Sequence, residues 1–266
     1  MSPPVPGWYP DPQNASLARW WDGTQWTSAT QSSATLLAQR PGSAYAGKPG
    51  KPRRRIDDNF ARLSYVLQAA FVLVIALDLG TIWGDQFNLD VADQFIAGTP
   101  DPDDAALSDR INAVTGTAGF LIFVVIAILF MRWLFVAHAS DRMHPESQKH
   151  RSGWAIGGWF VPVLNLWRPF GVAIDLRRGV IGPGETATPL MWAWWLTLLV
   201  SGITDRAAGA AWAENDAVGM QQFGEDLRTA AELDLAASVV DIVAAVLALL
   251  VVRQLTAMVR QAPVVS

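Results

Sequence analysis

The chain has no cysteine, so neither a disulfide nor a thiolate metal site can form. Lysine is scarce: Lys48, Lys51 and Lys149 are all there are, and arginine carries the rest of the positive charge. With abundant alanine, that bias points to a GC-rich bacterial genome. The three histidines, His138, His144 and His150, recur every six residues. That spacing spreads them around a helix and does not set the i, i+4 pair of a zinc helix. His138 is expected near a membrane interface and the other two in a loop. No GxSxG, phosphate-binding glycine loop or HExxH occurs, and Gly182-Pro183-Gly184-Glu185 is a turn too short for a nucleotide. The reading is therefore non-enzymatic, with no cofactor and no metal. The first residues, MSPPVPGWYPDP, lack the charged-then-apolar layout of a signal peptide, so the first apolar segment is expected to stay as an uncleaved anchor.

Four long apolar stretches are present, at about 60–83, 113–137, 190–212 and 235–259. Each is long enough to cross a hydrocarbon core of ~30 Å as a helix, which takes roughly 20 residues. The intervening charges alternate. Residues 1–59 carry seven basic side chains and 138–189 carry six, whereas 84–112 holds only Arg110 against seven aspartates, and 213–234 is again acidic. Positive segments stay on the cytoplasmic side. The expected architecture is an all-α integral membrane protein: a four-helix transmembrane bundle in the bacterial plasma membrane, multi-pass, with both termini cytoplasmic.

Residues 1–30 read as a small Trp-rich module. Its prolines exclude a helix, and Asp22-Gly23 between aromatic runs predicts a β-hairpin with a type I′ turn. Trp8, Tyr9, Trp20, Trp21 and Trp26 supply either a miniature aromatic core or a surface for a cytoplasmic protein or peptide partner, a Pro-rich peptide being the kind that aromatic grooves take. Residues 31–59 read as a flexible basic linker. Lys51, Arg53, Arg54 and Arg55 sit where anionic lipid attracts them, and no nucleic acid is invoked for a cluster that topology already explains.

The loop between the second and third stretches contains GWAIGGWFVPVLNLWRPF. Its apolar part is too short to span, so 153–179 is expected to be re-entrant or interfacial. Trp154, Trp159 and Trp167 suit the headgroup level, and Pro162 and Pro169 interrupt helical hydrogen bonding beside Asn165 and Arg168. Trp167 to Gly179 predicts a short surface helix with Arg168, Asp175, Arg177 and Arg178 toward water. Within the spans, Asp78, Asp205, Arg206 and Asp241 share a depth, and Arg206 is expected to pair with Asp78, Asp241 or both. The pair is either a structural clamp or part of a proton or cation relay. The halves 60–137 and 190–259 share a layout that a two-plus-two repeat would also give.

Gly7-Trp8-Tyr9-Pro10-Asp11-Pro12, Arg19-Trp20-Trp21-Asp22-Gly23 and Trp26-Thr27 resemble the Trp-rich module called domain of unknown function 2510. Gly153-Trp154 and Gly157 through Phe170, with the flanking helices, resemble the multi-span domain of unknown function 4328 over about 60–260. The resemblance implies an actinobacterial membrane protein and no reaction. The expected function is that of a membrane-anchored binding or scaffold protein. The alternative is a small transporter or channel that uses Asp78, Asp241, Arg206 and the broken loop 153–170.

Overall fold

The computed structural model describes residues 6–32, 55–213 and 219–265. The chain divides into two compact units, Met1–Arg53 and Arg54–Ser266.

The first unit is a three-stranded antiparallel sheet, not the two-stranded hairpin expected. Strands β1 (Gly7–Asp11), β2 (Asn14–Trp21) and β3 (Trp26–Ser32) lie in the order β1-β2-β3. A lone hairpin is marginal in water, and the proline-bearing β1 supplies the third strand at an edge, where a missing N–H costs no ladder bond. The β2–β3 connection is also not a two-residue type I′ turn. It runs from Asp22 to Gln25, and only Gly23 has positive φ, at 101°. The Asp22 carboxylate closes it by accepting from the Thr24 and Gln25 N–H groups at 2.7 and 2.8 Å. Those donors hold the Asp22 pKa below its ordinary value.

The second unit is helical. Asp57 caps α1 (Asp58–Ile96) by accepting from the N–H groups of Asn59 and Phe60. Asp101 caps α2 (Pro102–His138), which starts with proline at its first position and Asp103 and Asp104 in its first turn. Two short helices follow, α3 (Trp154–Phe160) and α4 (Arg168–Val180), then α5 (Pro189–Ala213) and α6 (Met220–Gln261). Among the described residues three helices, α1, α2 and α6, are long and apolar enough to cross a membrane, which makes this a multi-span membrane protein. α5 has 25 residues, but Trp192, Trp194, Trp195, Asp205 and Arg206 dilute its apolar run.

The helices are longer than the apolar stretches that announce them. At 1.5 Å per residue the 39 residues of α1 reach about 58 Å, near twice a bilayer core. The acidic segments between the apolar stretches are in large part helical overhangs of α1, α2 and α6. α6 packs antiparallel on α1, with α2 on α1 and α5 on α6. Ala230, Ala237, Ala244 and Val251, seven residues apart on α6, are buried and let the backbones approach. The larger apolar core gathers at the basic end, where Phe130, Trp133, Trp194, Trp195 and Phe170 meet.

The helix Arg168–Val180 departs from expectation. It is not a surface helix with Asp175 in water: Asp175, Leu176, Val172 and Ala173 are buried against the bundle.

Candidate functional site

Two polar constellations stand out, one in the α1–α6 seam and one at the basic end. The seam register is fixed at both ends. Thr256 Oγ1 donates to Ser64 Oγ at 3.3 Å, and Arg228 pairs with Asp93. Between those contacts the α1–α6 register brings Asp78 near Asp241 and Asp85 near Asp234. Asp205 on α5 joins Asp241, which is also in hydrogen-bond reach of Ser201. Five carboxylates thus occupy two layers two helical turns apart. Oxygens of Asp78, Asp85 and Asp241 are buried without a hydrogen-bond partner among the described residues. The expected ion pair with Arg206 is not formed: that side chain is exposed and donates back to the Gly202 carbonyl. The long arginine side chain folds back along its own helix and stays exposed instead of entering the seam.

At the basic end Asp175 gathers donors from three segments. His150 Nδ1 lies 2.7 Å from Oδ2, the His150 and Lys149 N–H groups donate to Oδ2 at 2.8 and 3.1 Å, and Arg178 donates to Oδ1 at 2.9 Å. His138, only 1% exposed, places Nε2 3.6 Å from Oδ2 and Nδ1 3.0 Å from Ser152 Oγ. Burial by itself raises the Asp175 pKa; the approach of His138, Arg178 and His150 and the Lys149 N–H outweigh it and hold the carboxyl below the usual range. Ser152, His138 and Asp175 have the composition of a nucleophilic triad. The sealed ring and saturated carboxylate instead make a clasp that ties the end of α2 and the following loop to α4. Gly171 makes the clasp possible, since a Cβ there would stand 2.9 Å from His150 Cε1.

The Trp-rich motif fits around this clasp. Arg168 lies 4.7 Å over the Trp154 ring, and a Cβ on Gly158 would meet Arg168 Cγ at 3.0 Å. Trp195 Nε1 donates to the Leu166 carbonyl at 3.1 Å, and Trp159 packs edge-on to Phe130. Pro169 is buried, Asn165 half-buried, and Pro162 and Trp167 exposed.

A family model described as "Domain of unknown function (DUF4328)" matches residues 98–257. The chain belongs to the DUF4328 family. A second model, "Protein of unknown function (DUF2510)", matches residues 6–41. No curated protein and no solved structure matches the chain. The DUF4328 match begins at 98, not near 60, so α1 lies outside it. The clasp lies wholly inside the DUF4328 region, whereas the seam is shared: Asp205, Asp234 and Asp241 belong to that region and Asp78 and Asp85 come from α1.

Within the DUF2510 match, Trp8 meets Trp20 edge to face at 5.5 Å, and Trp21 and Tyr9 meet Trp26 at 5.3 and 6.3 Å. Trp26 remains 39% exposed. Asp11 joins the edge strand to β2 by pairing with Arg19 at 3.0 Å. Of the basic residues before α1, Lys51, Arg53 and Arg54 lie outside the described residues, and Arg55 is exposed.

Proposed function

We propose that this DUF4328 protein is a non-enzymatic plasma-membrane protein that takes up protons between α1, α5 and α6. One observation carries the reading: Asp78, Asp205 and Asp241 converge with no basic partner among the described residues, and Asp85 and Asp234 form a second layer beyond them. Carboxylates placed within a bilayer need a positive occupant, and a shared proton supplies it. Two layers let such an occupant step along the seam.

In this reading α5 is a fourth span. Its exposed Trp192, Leu196, Val200 and Ile203 form a stripe at helical spacing that continues the exposed apolar belt of Leu73 and Leu79 on α1 and Val243 and Val246 on α6. The basic ends face the cytoplasm with both termini. Phe160, Val163, Leu166 and Trp167, all exposed, dip into the interface there, and anionic lipid is the partner that the sequence of Lys51, Arg53, Arg54 and Arg55 suits.

Proteoliposomes holding the full chain test it. An imposed proton gradient should dissipate through the wild type and not through Asp241→Asn or Asp78→Asn, with both variants monodisperse in detergent. Equal flux through wild type and variants would overturn the reading. Reporter fusions at residues 100 and 222 should both lie outside the cytoplasm.

A second reading, a membrane-anchored scaffold, is favoured by the aromatic face of Tyr9, Trp21 and Trp26, which the small sheet leaves half open. A Pro-rich peptide is the partner such a face takes. Binding of a polyproline peptide that Trp26→Ala abolishes would support it, and absence of binding would remove it.

A further inference from the structure

The acidic ends of α1, α2, α5 and α6 enclose a cavity of about 390 Å³, inside the range of small-molecule pockets. Part of its wall is aromatic. Phe95 and Phe223 meet edge to face with centroids 4.7 Å apart, and Trp212 adds a third ring. Asp109 and Asp226 supply two carboxylates, and no lysine or arginine is among its described lining. The nearby Arg228 is already paired with Asp93.

The polar side of the cavity leads to an unpaired carboxylate. Ser108 and Asn112 line the cavity, and both bond Asn88, at 2.6 and 2.9 Å. Asn88 also donates to Asp85 Oδ1 at 3.4 Å. Asp85 is 1% exposed, and its Oδ2 has no partner among the described residues. The buried network therefore ends on a carboxyl oxygen with no partner among the described residues.

We infer that this cavity binds a small organic ammonium ion. Ring faces carry a negative quadrupole and attract a diffuse cation such as an alkylammonium. A hard metal ion needs a closed shell of oxygen ligands, and no group of three His, Asp or Glu side chains among the described residues is placed to hold one. An anion would face Asp109 and Asp226 with no basic side chain in the described lining, and a neutral apolar molecule would strip water from those two carboxylates without replacing it. The site stands apart from the deeper Asp78–Asp241 layer and holds whether or not that layer carries cations.

The test is calorimetric titration of the full chain in detergent with tetramethylammonium and with choline, using 3,3-dimethylbutan-1-ol as the uncharged counterpart of choline. Saturable binding of both cations is expected, with the alcohol at least tenfold weaker. Asp226→Asn and the exposed Asp109→Asn should each weaken choline several-fold, Phe223→Leu should do the same, and Asp78→Asn should leave the affinity unchanged. Asp109→Asn is the deciding variant if Phe223→Leu fails to fold. Equal affinity for choline and the alcohol, no effect of either carboxylate variant, or no saturable binding of any cation would overturn the inference.

Discussion

Replacing Asp175 with alanine removes the acceptor on which four donor groups converge: the His150 ring, the His150 and Lys149 N–H groups, and the Arg178 guanidinium. The site is fully buried, so water does not readily replace what is lost. Removing one partner of a buried charged pair costs about 3–5 kcal/mol. In a helical unit of this size each kcal/mol lowers the midpoint by roughly 2–4 °C, so a fall of about 6–20 °C is expected. Asp175→Asn keeps one acceptor oxygen and should fall less. Differential scanning fluorimetry of the detergent-solubilised chain reads both, with the exposed Glu146→Ala as the control that stays near wild type. The pH dependence has a definite sign. The folded Asp175 carboxyl sits below its unfolded value of about 3.9, so its stabilisation is complete above that pH and fades as the pH falls beneath it. The gap between wild type and Asp175→Asn should therefore be full at neutral pH and shrink below about pH 4. A shift under about 2 °C for Asp175→Ala at neutral pH would refute the clasp as a determinant of stability.

Three further outcomes are expected. Gly224→Ala places a Cβ 2.8 Å from the Ala92 carbonyl oxygen and 2.9 Å from the Ile96 nitrogen, backbone atoms that cannot turn aside, so the α1–α6 overhang should loosen and the midpoint drop by roughly 2–12 °C. Gly171→Ala drives His150 off Asp175 and should lose about 1–3 kcal/mol; combined with Asp175→Asn it should add much less than the sum of the two, as a double-mutant cycle would read. Arg206→Leu removes an exposed side chain bonded only to its own helix and should change stability by less than about 0.5 kcal/mol in the same fluorimetric assay.

The main helices were legible because lipid imposes a simple rule, long apolar runs. Their true ends were not. Apolar runs stop near Trp83 and begin again at Leu235, so Asp85 and Asp234 read as connector residues. Their helices continue past those points because buried positions still recur along them, including Asn88, Val91 and Ala92 on α1 and Gly224, Ala230 and Ala231 on α6. A signal was available: Asp78 and Asp85, like Asp234 and Asp241, stand seven residues apart, the spacing of a helix seam. The histidines misled for a different reason. Their six-residue spacing spreads them around one continuous helix, but α2 ends at His138 and a 3-10 turn begins at Pro145. The chain doubles back and returns His150 to the neighbourhood of His138, a convergence that spacing along a single axis cannot show. The Trp-rich module was legible in its aromatics and not in its third strand, because Pro10 argues against β structure unless the strand is at an edge.

The length of α1 has an electrical consequence. From Trp83, the last large apolar residue exposed on its membrane-facing stretch, to Phe95 at the cavity is twelve residues, or about 18 Å of rise. Counterions at physiological strength extinguish surface fields over about 8 Å. The acidic tip therefore stands beyond most of the potential set by lipid headgroups, and it samples ions and amines at their concentration in bulk solution, whatever the charge of the sheet beneath it.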